Sequence, residues 1–123
     1  MSLNIRIKDF VNAREVDSGI VLDWMSGVPM TLEVLICERV SAEFERLRNY
    51  PDQGLPDFHP LVAWVKSADF AALHDKRLKD AQEVALAGFI SGSFFVVVDG
   101  KQIEDLGSEL RLTPTSNVRF IRL

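Results

Sequence analysis

The sequence has few of the residues that build disulfides and metal sites. Its single cysteine, Cys37, excludes an intrachain disulfide and a cysteine metal cluster. Its two histidines, His59 and His74, have no third ligand at a spacing typical of metal sites. His74 is followed by Asp75, but a His–Asp pair without a positioned nucleophile is not a catalytic triad. We therefore expect no metal site, and solvated roles for both histidines.

Other absences exclude whole classes of function. The chain contains neither a P-loop nor a dinucleotide-binding fingerprint. Its 18 acidic and 14 basic residues are interleaved, so it has no basic stripe for nucleic acid and no polybasic membrane patch. No apolar run approaches the roughly 20 residues that span a bilayer, and residues 1–6 lack the apolar core of a signal peptide. We expect a cytoplasmic protein that binds no cofactor, no nucleic acid and no membrane.

The apolar segments that are present indicate one domain, residues 1–123. Hydrophobic residues make up 47% of the chain and charged residues 26%, as in an ordinary globular domain. Leu3–Lys8 alternates apolar and polar residues, which predicts a half-buried strand, and Gly19–Trp24 is a second strand candidate. The mostly polar stretch Val11–Ser18 between them is predicted to be a long hairpin loop.

An amphipathic helix is predicted from Thr31 to about Arg48. Thr31 is a suitable N-cap, and Pro51 follows the predicted end. Apolar residues recur at helical spacing at Leu32, Leu35, Ile36, Val40, Phe44 and Leu47. We assign most of the charged residues to the opposite face: Glu38, Arg39, Glu43, Glu45 and Arg46.

The C-terminal stretch has the pattern of a small sheet. Phe94–Val98 is an uninterrupted β-prone run, and Asp99-Gly100 is a turn signal before a short return strand, Lys101–Ile103. Val118–Leu123 is predicted to be the closing strand, with Phe120 turned toward the core by alternation.

Two motifs in this stretch resemble ubiquitin. They are Gly100–Asp105, with the sequence GKQIED, and Ser116–Ile121, with the sequence SNVRFI. The segment Val98–Gln102 also resembles bacterial ubiquitin-like proteins and small sulfur carriers. The resemblance implies an α+β β-grasp fold, in which a mixed sheet wraps around one long helix. The order of the predicted elements independently agrees with that fold.

Residues 50–93 exceed the minimal fold and are predicted to be a helical insertion. Prolines and glycine mark an irregular beginning, and Leu61–Val65 fits a helical turn or two after Pro60. Phe70–Ile90 is rich in good helix formers, with a break near residues 74–76. Its apolar content predicts helices docked on the domain.

The resemblance also implies a protein-binding patch at Val97, Arg119 and Ile121. The strand pattern agrees, because alternation turns Val97 and Ile121 away from the core. Apolar residues grouped on an exposed sheet face mark interaction sites. The alternative is that the insertion covers these residues as core.

The function implied by the resemblance is that of a bacterial ubiquitin-like protein modifier. An adenylating enzyme would activate its C-terminus and pass it to target proteins, and Leu123 would be the last residue before a tail ending in Gly-Gly. The chain itself would be no enzyme, and self-association is a further kind of partner contact. A β-grasp sulfur carrier and a non-conjugated interaction domain, for example in phage tail assembly, are the alternatives.

Two residue groups could suggest catalysis but favour ordinary roles. Cys37 lies beside an acidic residue, whereas a nucleophilic thiol needs a base and a positive environment. We expect a partly buried, inert thiol. Carboxylates occur together around the turn that follows Ile103, and we expect them to be solvated: Glu104, Asp105 and Glu109.

Overall fold

The computed structural model of the protein describes residues 2–49, 61 and 78–122. These residues form an α+β structure with a mixed sheet and two helices. The helices are α1 (Leu32–Asn49) and α2 (Leu78–Ile90). The strands are β1 (Ser2–Val11), β2 (Arg14–Met25), β3 (Met30–Thr31), β4 (Phe95–Val98), β5 (Lys101–Ile103), β6 (Glu109–Leu110) and β7 (Val118–Arg122).

The main sheet has five strands in the order β2-β1-β7-β4-β5. β1 and β7 pair in parallel, from Ile7 beside Val118 to Val11 beside Arg122, and every other neighbouring pair is antiparallel. The predicted strands Leu3–Lys8, Phe94–Val98 and Val118–Leu123 therefore share one sheet within their described residues, which end at Arg122 in β7. β3 and β6 form a separate two-stranded sheet.

The predicted long loop at Val11–Ser18 is wrong. β1 continues to Val11, β2 begins at Arg14, and only Asn12 and Ala13 form the turn. Both turn residues have positive φ, 53° and 66°, as a two-residue hairpin turn with the right twist requires. The polar composition of this stretch reflects a hairpin end with much of its surface exposed, where polar strand residues are common.

A β-bulge interrupts the β1–β2 ladder between Arg6 and Lys8. The Ser18 hydroxyl satisfies the backbone there, because it donates to the Ile7 carbonyl at 2.5 Å and accepts from the Ile20 amide at 3.1 Å. Arg46 of α1 donates to the Ser18 carbonyl at 2.6 Å. The bulge is thus bonded to the helix as well as to the neighbouring strand.

Helix α1 lies against the inner face of the sheet, within one residue of its predicted bounds. The predicted cap is confirmed, since the Val34 amide donates to Thr31 Oγ1 at 3.2 Å. The two preceding amides of the first turn also have partners: Leu32 donates to the Ser108 carbonyl, and Glu33 donates to the Leu106 carbonyl. The loop before β6 is therefore bonded to the start of α1.

Helix α2 packs on α1 within the predicted insertion. Its buried positions are small residues, Ala81, Ala85 and Gly88, which allow a close approach. Gln82 strengthens the contact by donating to the Cys37 carbonyl at 3.1 Å. The predicted docked helix is thus confirmed for residues 78–90, whereas residues 50–60 and 62–77 lie outside the described part. Neither described helix combines the length and apolar content needed to cross a membrane.

Phe120 is at the centre of the core between the sheet and α1. It is fully buried, as predicted, and its ring stacks on Phe94 with 5.9 Å between centroids. Other buried core residues come from β1, β2, α1, α2 and β4, and they include Leu3, Ile5, Ile7, Ile20, Leu22, Leu35, Ile36, Val40, Ala85 and Val96.

Replacing Phe120 by alanine tests this packing. Phe120→Ala should lower the free energy of unfolding by about 3–5 kcal/mol, since it deletes a buried aromatic ring and leaves a cavity. Ile121→Ala is the matched control, because Ile121 is the next residue and is only half-buried; its loss should be smaller, about 1–2 kcal/mol. Urea melts measure both, and a Phe120→Ala loss below about 1 kcal/mol would contradict the core assignment.

Candidate interaction surface

The three predicted binding residues share the outer face of the sheet, opposite α1. Val97 and Arg119 are direct partners across β4 and β7, and Ile121 follows two positions along β7. All three are half-buried, whereas their inward-facing neighbours Val96 and Phe120 are buried. The alternation that predicts outward side chains is therefore present in the strands.

Two phenylalanines that the sequence did not single out extend this group. Phe10 of β1 lies beside Ile121, and Phe95 of β4 lies beside Ile121 on the other side. An apolar row thus crosses three strands, with Arg119 and Val97 in the next row. We call Phe10, Phe95, Val97, Arg119 and Ile121 the outer patch. Phe10 was missed because the predicted first strand stopped at Lys8.

Arg119 gives the outer patch a positive charge within apolar surroundings. Its guanidinium carbon lies 5.4 Å from the centroid of the Phe10 ring, a cation–π distance. Lys8 is its cross-strand neighbour on β1. An apolar surface with a fixed cation suits a protein partner that combines apolar and acidic side chains.

The outer patch lies at the end of the sheet where β7 finishes. The Asn12 amide of the β1–β2 turn donates to the Arg122 carbonyl at 3.0 Å, which holds the last described residue beside that turn. Phe10 and Ile121 are therefore close to the point where the chain leaves the sheet. Leu123, the predicted attachment point of a tail, lies outside the described residues.

Behind the outer patch, on the inner face, is a buried charge cluster of Asp9, Arg39 and Glu43. The two terminal nitrogens of Arg39 donate to the two carboxylate oxygens of Asp9 at 2.5 and 2.7 Å. Glu43 Oε2 lies 3.7 Å from Arg39 Nη2. The Arg39 guanidinium also lies 4.6 Å from the Phe120 ring centroid, so the cluster joins β1, α1 and β7.

The assignment of Arg39 and Glu43 to the exposed face of the helix is therefore wrong, since their exposures are 0% and 1%. The spacing contained the signal. Arg39 follows Leu32 by two helical turns, and Glu43 follows Ile36 in the same way, so both lie on the apolar stripe. Asp9 likewise continues the inward alternation of Leu3, Ile5 and Ile7.

Glu43 also holds one residue of the insertion. The Leu61 amide donates to both Glu43 carboxylate oxygens, at 3.0 and 2.8 Å, and the Leu61 side chain is fully buried. Burial raises the pKa of Glu43 to about 7, although Arg39 and the Leu61 amide both favour its charged form. Burial alone would lower the pKa of Arg39, but Glu43 and Asp9 together raise it, so Arg39 stays charged.

Among the described residues, the remaining predicted groups do not form a reactive site. Burial raises the pKa of the Cys37 thiol, and Glu33 and Glu38 raise it further, so little nucleophilic thiolate is present near neutrality. The carboxylates that follow β5 are exposed, and Asp105 accepts a bond from the Gly107 amide within its own turn. His59 and His74 lie outside the described residues. Within the described residues, no three His, Cys, Asp or Glu side chains form a group that could hold a metal ion.

Comparison with known proteins identifies no relative. No protein-family model, curated protein or solved structure matches the chain.

The raised pKa of Glu43 predicts a pH-dependent stability. The free carboxyl titrates near 4.5 and the folded one near 7, so the folded state holds an extra proton between these values. Below pH 4.5, this carboxyl does not lower the free energy of unfolding. As the pH rises from 4.5 through about 7, the free energy of unfolding falls by on the order of 3 kcal/mol. Glu43→Gln should remove this loss, since the amide oxygen still accepts from Leu61.

Urea melts of both proteins between pH 5 and pH 8 measure the effect. Titrations common to the two proteins cancel when the curves are subtracted, and the remaining slope belongs to Glu43. Glu38→Gln, an exposed position on the same helix, is the matched control and should leave the slope unchanged. Parallel curves for the wild type and Glu43→Gln would contradict the prediction.

Proposed function

We propose that this chain is the globular part of a ubiquitin-like protein modifier with a β-grasp fold. The single observation that carries the proposal is the outer patch, an apolar surface with one fixed cation beside the exit of β7. A partner that acts on a C-terminal tail must hold the domain close to that tail. A docking surface at this end of the sheet meets that requirement.

The sheet supports the β-grasp part of the proposal. Its first and last strands pair in parallel at the centre, hairpins lie on both sides, and α1 covers one face. These are the relations that the predicted order of elements implies for a sheet wrapped around one helix. The ubiquitin-like motif Gly100–Asp105 covers β5 and the residues on either side of it. The motif Ser116–Ile121 covers most of β7 and the two residues before it.

The chemistry of modification would come from a partner. A backbone carboxylate is a poor electrophile until adenylation gives it a good leaving group. The thiol of Cys37 is not activated for transfer, because burial and the neighbouring carboxylates raise its pKa. The domain would therefore act as substrate and binding module, and the adenylating enzyme would recognise the outer patch through apolar contacts and the charge of Arg119.

A non-conjugated interaction domain is the second candidate, because the outer patch can bind a partner without any tail. A sulfur carrier is less favoured, since α2 and the rest of the insertion enlarge the domain beyond the minimal carriers it resembles.

The modifier proposal is tested with the natural full-length gene product. We expect incubation with its genomic neighbours and ATP to produce an adenylate, a thioester or an isopeptide remnant, detected by mass spectrometry. An intact C-terminus that forms none of these with an active neighbouring enzyme would reject the modifier and favour the interaction domain.

The docking role of the outer patch has a separate test. Ile121→Lys should slow adenylation at least tenfold, because it places a positive charge in the middle of the apolar row, between Phe10 and Phe95. The lysine stem can still cover the apolar strand, so the domain should fold. Met25→Lys is the matched control, since Met25 is 65% exposed at the opposite end of β2. Equal adenylation rates for the wild type and Ile121→Lys would show that the docking surface lies elsewhere.

A further inference from the structure

A groove of about 570 Å³ opens between the C-terminal end of α2 and the β4–β5 hairpin. Its described lining residues are mostly apolar: Phe89, Ile90, Phe94, Phe95, Ile103 and Leu106, with Gln102, Glu104 and Asp105 on the polar side. The rings of Phe89 and Phe94 pack with centroids 5.9 Å apart, which connects α2 to the start of β4. Ile90 is 74% exposed, so a large apolar side chain borders the groove without being covered.

The charged residues that line the groove in the described part of the chain are all negative. Glu104 and Asp105 are both exposed, and no lysine or arginine is among the described residues that line it. Asp105 keeps its position because its Oδ1 accepts from the Gly107 amide at 2.9 Å. A ligand that enters the groove therefore meets apolar side chains and two carboxylates, and a cationic group on the ligand complements them.

One wall of the groove belongs to the edge of the sheet. β5 contributes Gln102 and Ile103 to the lining, and it is the terminal strand of the five-stranded order, with β4 as its only strand neighbour in the described part. The outer side of such a strand presents backbone N–H and C=O groups that can pair with an added strand. Peptides bound in this way gain affinity from backbone bonds and specificity from pockets for alternate side chains.

We propose that this groove binds an extended segment of another protein, in which bulky aliphatic side chains are flanked by lysine or arginine. The segment adds to the outer side of β5, its aliphatic side chains contact Phe89, Ile90 and Leu106, and its basic residue lies against Glu104 and Asp105. This recognition goes beyond the proposed modifier role, because it needs neither a C-terminal tail nor an activating enzyme.

The test uses the full chain labelled with ¹⁵N and a synthetic peptide probe of alternating valine and isoleucine with two terminal lysines. Saturable amide shifts should concentrate in residues 101–106 and 89–90. Glu104→Lys and Ile90→Ser should each weaken binding at least tenfold. Met25→Ser, which alters a comparably exposed apolar side chain near the opposite edge of the sheet, should leave it unchanged. A probe with glutamates in place of the lysines should bind at least tenfold more weakly.

Four results would overturn the proposal. Absence of saturable shifts, or shifts confined to another face, would show that the groove does not bind such a segment. Equal affinity for the acidic probe would remove the role of the carboxylates. Nuclear Overhauser contacts between residues 62–77 and the groove would assign it to the chain itself. A concentration-dependent dimer that Ile90→Ser dissociates would assign it to a second copy. Each result is independent of whether an adenylate forms.

Discussion

The charge on Arg39 is the constraint on which the rest of the structure depends. A guanidinium that is fully buried must be paired, because an uncompensated charge in the interior is strongly destabilising. Asp9 supplies the pair, so β1 must extend at least to this residue and must keep its inward alternation. Phe120 completes the environment from β7. The Asp9–Arg39 pair therefore specifies how the first strand and the long helix meet, even though apolar residues of the same volume could give similar stability.

This internal arrangement also positions the outer face. Phe10 follows Asp9 along β1, and Arg119 and Ile121 flank Phe120 along β7. Because successive side chains in a strand point to opposite faces, fixing the inward members also fixes the outward ones. A register slip of one residue would exchange the two sets. The buried charges therefore determine which residues form the outer patch, although they do not contact it.

Much of the fold could be predicted because its signals are local. The Thr31 cap, the helical spacing that follows it and the Asp99-Gly100 turn each occupy a few adjacent residues. In the misassigned parts, two local signals conflict. The charges of Arg39 and Glu43 predict an exposed face, whereas their helical phase agrees with the apolar stripe, and only the distant partner Asp9 decides between the two for Arg39. The polar residues of the hairpin end predict a loop, because they interrupt the alternation of apolar and polar residues that marks a strand.

The same distinction applies to the candidate sites. Val97, Arg119 and Ile121 could be placed on one face from strand alternation and the resemblance. Phe10 could not be added to them without knowing that β1 passes beyond Lys8 and lies beside β7. The groove could not be predicted, because it requires the end of α2 to lie against the β4–β5 hairpin, and no periodicity encodes that distance.

The parallel pairing of β1 with β7 has a consequence for synthesis on the ribosome. Among the described strands, β1 is synthesised first and β7 last, and these two pair at the centre of the sheet. Both described helices are synthesised between them. The β1–β2 hairpin therefore leaves the exit tunnel with one side of β1 unpaired and its apolar inner face uncovered. Nascent chains in that condition are prone to aggregate until the missing strand arrives. For this domain, chaperone dependence should be greatest before β7 is translated, and a ribosome stalled upstream of Val118 should carry a chain without its central strand pair.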